Sequence, residues 1–287
     1  MVRRHQSGFT LIELSIVLVI IGLIVGGVLV GQDLIKAATI RSQISQIEKY
    51  NQAANTFRLK FGGLPGDLQA STAVSVGFST RAGSVGRGDG NGLLEGSAAG
   101  SSNLCGETGM FWSDLMTAGL IGDTISLVVP GGTGDIDSDL LHCPAHSLPD
   151  YTANGLLPSA QIRSGDYVTV YADMGQNLYF ISGSFCIAPQ GLGMCYIPGA
   201  TTGNKPGLTP LEALAIDNKI DDGLPSSGLV LSKDPSTFSN SATPVGGAAG
   251  AASAGNCGST DTSPISYNTS GYYATSVICS LSIKASF

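Results

Sequence analysis

An apolar run close to the N-terminus limits what this chain can become more than any other feature. Leu14–Val30 contains no charged residue, and its only breaks in apolar character are Ser15 and the glycines Gly22, Gly26 and Gly27. At 1.5 Å per residue, Phe9–Val30 makes a helix of about 33 Å, long enough to cross the hydrocarbon core of a bilayer. One carboxylate, Glu13, stands inside the start of the run. An acid at membrane depth costs on the order of 3 kcal/mol, and such residues mark function and a partner.

A secretory signal is removed after its apolar region, at a small-residue site. No such site follows this run, where Gly31-Gln32-Asp33-Leu34 leads into more helix-compatible sequence. The small residues lie before it, as Ser7-Gly8. Cutting between Gly8 and Phe9 removes the basic leader with Arg3 and Arg4, keeps the apolar helix, and creates an α-amine four residues from Glu13.

The segment Gly8-Phe9-Thr10-Leu11-Ile12-Glu13-Leu14 resembles, residue for residue, the type IV prepilin leader junction shared by pilins and type II secretion pseudopilins. The resemblance implies cleavage after Gly8 by a membrane-embedded prepilin peptidase and N-methylation of Phe9. It implies pairing of Glu13 with the Phe9 amine of a neighbouring subunit as helices pack into a filament. Either charge alone is costly in lipid, so association of the two is favoured. Arg3 and Arg4 hold the leader on the cytoplasmic side. Many pilins carry a proline late in the run; here Val30-Gly31 stands there, and Gly22, Gly26 and Gly27 are expected to weaken the helix instead.

Ile40, Ile44, Ile47, Tyr50, Ala54, Phe57 and Phe61 then recur at helical spacing, opposite Arg41, Ser45, Glu48, Lys49, Gln52 and Thr56. Gly62-Gly63 and Pro65 end the helix. The expected organisation is a leader over 1–8, a helical stem over 9–62 whose part 9–30 lies in membrane or filament core, and an exported head over 63–287. The fold class is α+β and pilin-like: a long helix on a small antiparallel sheet, with loop and helix insertions, stapled by disulfides.

Within the head, a short helix is expected over Thr108–Ala118, with Phe111, Leu115 and Met116 inward and Trp112 in the core. Tyr167–Asp173 and Asn177–Ser182 read as strands of a hairpin turning at Met174-Gly175. Phe185–Ile187 and Met194–Ile197 read as a second hairpin, Pro210–Lys219 as a helix and Leu229–Leu231 as a short strand. Ser239–Ser263 is a low-complexity surface loop, and Tyr272–Ile283 is strand-like. Leu64-Pro65-Gly66-Asp67, Gly88–Gly92 and Ile216–Pro225 resemble, more loosely than the leader, a bacterial pilin subgroup.

Six cysteines, at 105, 143, 186, 195, 257 and 279, all lie beyond the apolar run. An even number on the exported side reads as disulfides. Six cysteines allow fifteen pairings, and sequence does not fix which; the short glycine-rich linker favours Cys186–Cys195, Cys257–Cys279 would clip the C-terminal strand, and Cys105–Cys143 is then left by elimination. Asp89, Asn91 and Glu95 around Gly92 form half of a calcium loop, and Asp217, Asp221 and Asp222 form a second acidic group. Both are candidate Ca²⁺ ligands, with turn chemistry as the competing reading. His142 and His146 are four apart, but Pro144 between them opposes a zinc-chelating helix.

The chain's net charge of −7 becomes −9 without Arg3 and Arg4, since 12 basic then face 21 acidic residues. That argues against a generally nucleic-acid-binding surface. No nucleophile elbow, P-loop or H-E-x-x-H occurs. The expected function is therefore structural and not enzymatic: a pilin or pseudopilin subunit of a type IV pilus-like filament. Its expected partners are other pilins, prepilin peptidase, the inner-membrane assembly platform and lipid. It is expected first as a single-pass inner-membrane protein with a cytoplasmic N-terminus, then in a periplasmic or extracellular filament. The alternative is a minor pilin whose head is an adhesin or captures DNA.

Overall fold

The computed structural model describes residues 10–79, 81, 83, 86–96, 106–122, 157–173, 175–183, 206–233, 257–259 and 265–287. Gly8, Phe9, Cys105, Cys143, Cys186, Cys195, His142, His146 and the expected hairpin over 185–197 lie outside them.

Helix α1 spans Leu11–Phe61 without interruption. Thr10 caps its start, and Gly62, at φ 80°, closes its end. The expected weakening at Gly22, Gly26 and Gly27 does not show as a break. Glycine in a helix costs about 1 kcal/mol but leaves the backbone hydrogen bonds in place.

The two halves of α1 live in different surroundings. Every large apolar residue from Leu11 to Ile35 is between 50% and 91% exposed. From Ile40 onward one stripe is buried, comprising Ile40, Ile47, Tyr50, Ala54 and Phe57 with Gln43, Gln46 and Ala53. Ile44 and Phe61 pack against the same core from its margin. Arg41, Ser45, Glu48, Lys49, Gln52 and Thr56 remain exposed on the opposite side.

The head is built around a four-stranded antiparallel sheet in the order β1-β2-β6-β3. Strands β1 (Tyr167–Asp173) and β2 (Gln176–Ser182) form the hairpin. Strand β6 (Ser280–Lys284) pairs with β2, and β3 (Val230–Lys233) pairs with β6. The register aligns Val170 with Tyr179, Tyr179 with Ile283, and Ile283 with Val230, giving one apolar face across the strands. That face meets the stem where Tyr179 approaches Tyr50, with ring centroids 6.3 Å apart. Helix α2 spans Ala70–Ser75, α3 Glu107–Thr117 and α4 Pro210–Ile220.

Two expectations are corrected near the C-terminus. Tyr272–Ile283 is not one strand: Gly271–Thr275 forms a 3-10 helix, and the strand begins only at Ser280. Residues 258–259, placed in the low-complexity loop, form β4 and pair with β5 (Ser266–Tyr267). Cys257 is disulfide-bonded to Cys279, which anchors this small ribbon beside β6.

Polar side chains flank the apolar stripe where stem and head meet. Gln43 accepts hydrogen bonds from the backbone N–H groups of Gln161 (2.7 Å) and Ile162 (3.0 Å). Gln46 donates to the Ser159 carbonyl at 2.8 Å. Farther along, Asn51 accepts from the Ser286 N–H and Asn55 donates to the Ser286 carbonyl, each at 3.0 Å. The stem thus fastens both the chain entering β1 and the tail leaving β6.

Candidate functional site: the stem end and two acidic groups

The first turn of α1 carries the polar chemistry of the otherwise apolar half. Thr10 is in extended conformation, as an N-cap must be, and Glu13 is the third helical residue. They form a capping box. The Thr10 N–H and hydroxyl donate to one Glu13 oxygen, Oε2, at 2.8 and 2.7 Å, and the Glu13 N–H returns a bond to the Thr10 hydroxyl oxygen at 3.3 Å. Beyond this turn the helix surface through Val30 is apolar apart from Ser15, whose hydroxyl donates to the Ile12 carbonyl, and the span is long and apolar enough to cross a membrane.

The first acidic group brings together Asp67, Asp89 and Glu107, with one oxygen from each lying within 4.8 Å of the others. Asp67 accepts from the N–H groups of Gly90 and Gly92, both at 2.7 Å. Glu107 accepts from Gly88 at 2.8 Å and Glu95 at 3.0 Å. The glycine loop is thereby held by backbone donors, and Asn177 at the hairpin end holds Leu94 and Gly92 from the other side. Burial pushes the carboxyl of Asp67 up to about 6 and that of Glu107 up to about 8, against the pull of those backbone donors. Asn91 joins Asp89 to Glu95 through its side-chain amide, at 3.2 and 3.3 Å.

The motif Leu64-Pro65-Gly66-Asp67 is the hinge of this group. Gly66 has φ 86°, and a Cβ there would run into the Glu107 carbonyl oxygen. Its N–H donates to Asp114 at 2.7 Å, and its carbonyl accepts from Arg81 at 2.9 Å. Arg81 and Asp114 form a fully enclosed ion pair at 2.6 Å. The motif therefore joins the end of the stem to α3 and the glycine loop.

The second group is Asp217, Asp221 and Asp222, gathered at the end of α4. Asp217 accepts from the Tyr267 hydroxyl at 2.8 Å and the Gly223 N–H at 3.1 Å. Asp221 accepts from the Leu229 N–H. Asp222 accepts from the Leu224 N–H and the Ser227 hydroxyl, both at 2.8 Å. Burial pushes Asp217 up to about 6, while the Ser227 and Leu224 donors hold Asp222 below the usual range. In both groups every named acid serves a turn or cap; carboxylate oxygens keep further lone pairs, and a hard cation such as Ca²⁺ suits that donor set.

A family model described as a prokaryotic N-terminal methylation motif matches residues 3–29. Over this segment the chain is similar to prokaryotic proteins that carry the N-terminal methylation motif, the type found on type IV pilin and pseudopilin precursors. No curated protein and no solved structure matches it. The long helix, small antiparallel sheet and disulfide fit the α+β pilin fold.

In this pilin-like chain, several residues important to the sites are silent in the sequence. Asp67 and Glu107 lie far from Asp89 along the chain; only the positive-φ turn at Gly66 and the start of α3 bring them to the loop. Gln43 and Gln46 fall on the apolar stripe by helical spacing, which is a signal, since an amide on a buried face needs partners.

Proposed function

We propose that this chain is a filament subunit, made with its leader over 1–8, cut between Gly8 and Phe9, and assembled through its stem over 9–62. The observation that supports this most strongly is the division of α1: an apolar run from Leu14 to Val30 that lies exposed, then a stripe buried in the head from Ile40. An exposed apolar surface of that length in a folded protein calls for lipid or other apolar helices to cover it. Lipid serves before assembly, with a single pass through the inner membrane and a cytoplasmic N-terminus. Neighbouring stems serve afterwards, in a periplasmic or extracellular filament.

In this reading Glu13 pairs with the N-methylated Phe9 amine of the next subunit, which offsets the cost of both charges in an apolar core. Prepilin peptidase and an inner-membrane assembly platform are the partners the pathway requires. The reading includes calcium as a candidate structural ion of the head's acidic groups. Replacing Glu13 with Ala tests the assembly role. Membrane insertion and leader removal stay intact, and incorporation into sheared filaments falls strongly. Filaments containing the variant at wild-type level would rule the role out.

A further inference from the structure

Asn91 is followed by Gly92, and the loop around this pair holds the groups that an attack of one residue on the other requires. The Gly92 N–H donates to Asp67 Oδ2 at 2.7 Å, and Asp67 is only 1% exposed. The Leu93 N–H donates to the side-chain oxygen of Asn91, Oδ1, at 2.7 Å. The Asn91 side-chain nitrogen, Nδ2, donates to Asp89 and Glu95. Asn91 and Gly92 are both exposed, so water reaches them, and the space where a Gly92 side chain would stand is open. We propose that Asn91 is a self-modification site, deamidated by the backbone nitrogen of Gly92 through a cyclic imide, with Asp67 as the general base. The inference is independent of the assembly role of the stem.

The step balances with water as the co-reactant. The Gly92 nitrogen bonds to Cγ of Asn91 as its proton passes to Asp67. The Cγ–Nδ2 bond breaks, and the nitrogen leaves as ammonia with that proton. Water then opens the imide at either carbonyl, leaving an aspartyl or isoaspartyl residue in place of Asn91. The geometry suits each part. An amide N–H bond lies in the peptide plane, whereas attack uses the face of the nitrogen, so the bond to Asp67 persists as the new bond forms. Asp67 is fixed in reach of that proton because the Gly90 N–H holds its other oxygen at 2.7 Å. Negative charge that develops on Oδ1 meets the Leu93 N–H, as in an oxyanion hole. Gly92 has no Cβ to obstruct the approach. The product carries a new negative charge beside Asp89 and Glu95 and lacks both Nδ2 bonds, so conversion loosens the outer side of the glycine loop.

The experiment incubates the full chain in detergent micelles at neutral pH and follows Asn91 by peptide mapping with mass spectrometry, with isoaspartate read by methyltransferase labelling. The same chain held unfolded in guanidinium gives the rate that an Asn-Gly pair has without the fold. The folded chain is expected to convert Asn91 faster than the unfolded one. Asp67→Asn keeps the shape of the side chain and removes the base. A positioned base contributes on the order of 10²–10⁴-fold, so this variant is expected to slow conversion in the folded chain by about ten-fold or more. A folded rate equal to or below the unfolded rate would overturn the inference, as would a wild-type rate in folded Asp67→Asn. If Asp67→Asn does not fold, the comparison of folded with unfolded wild type decides alone.

Discussion

Tyr50 of the stem meets Trp112 of α3 edge to face, with ring centroids 4.8 Å apart and planes inclined by 74°. Trp112 also meets Phe111 edge-on at 4.9 Å, and Phe111 stacks on Phe287 at 5.7 Å. Trp112 has no exposed surface. The stem is thus joined to the head through one aromatic column. Truncating a fully enclosed tryptophan costs about 3–5 kcal/mol, a large share of a domain's stability. Trp112→Ala is expected to lower the denaturant midpoint of the head accordingly, followed by tyrosine fluorescence of the full chain in micelles. An unchanged midpoint would remove Trp112 from the joint.

Gly66 makes a second, backbone-level joint. Its φ of 86° and its closeness to the Glu107 carbonyl leave no room for a side chain. Gly66→Ala carries the left-handed penalty of about 1–2 kcal/mol plus the displacement of α3. The expected result is a drop in thermal midpoint larger than that of Gly92→Ala, whose φ is 85° but whose Cβ position is open. Equal drops would mean that conformation alone, and not the contact, sets the cost.

Asp166 gives the head a pH dependence of defined sign. It is 4% exposed, and its Oδ2 has no hydrogen-bond partner among the described residues. Burial raises its carboxyl from 3.8 to about 7, opposed by the Arg163 guanidinium and aided by the Glu212 charge. The folded state therefore holds a proton that the unfolded chain has already released. The contribution is fully present below the unfolded value of 3.8 and is lost as pH climbs to about 7. Asp67, Glu107 and Asp217 are shifted in the same direction and add to the slope. Thermal midpoints across that interval are expected to fall with rising pH, and to fall less steeply in Asp166→Asn. Parallel curves for the two proteins would contradict the assignment.

Legibility in the sequence followed the range of the interactions. The stem's stripe from Ile40 to Phe61 and the β1–β2 hairpin are local patterns of period 3.6 and 2, and both could be read directly. The capping box at Thr10 and Glu13 is a local signal as well. The joining of Asp67 and Glu107 to Asp89 was not legible, because it depends on how α3 docks on the turn at Gly66. The 3-10 helix at Gly271–Thr275 was hidden by a β-rich composition; Gly271, with φ 59°, begins it. The Cys257–Cys279 bond was legible, but the ribbon β4–β5 beside it was hidden because residues 258–259 sit in a low-complexity stretch.

Calcium is tested on the two acidic groups by adding the ion and then a chelator. A ligand at a hundred times its Kd stabilises by about 2.7 kcal/mol, and each kcal/mol is worth roughly 2–4 °C at this size. The calcium reading predicts a rise of several degrees in the thermal midpoint, reversed by chelator and reduced by Asp89→Asn or Asp221→Asn. No response would leave both groups as turn and cap chemistry.

Mass spectrometry of the protein recovered from sheared filaments tests the central claim most directly, because it reports whether the apolar half of α1 stays with the product. The account predicts a chain that starts at methylated Phe9 and retains Leu11–Ile35 in full. A released head whose N-terminus lies beyond Val30, with no filament-bound form, would contradict it.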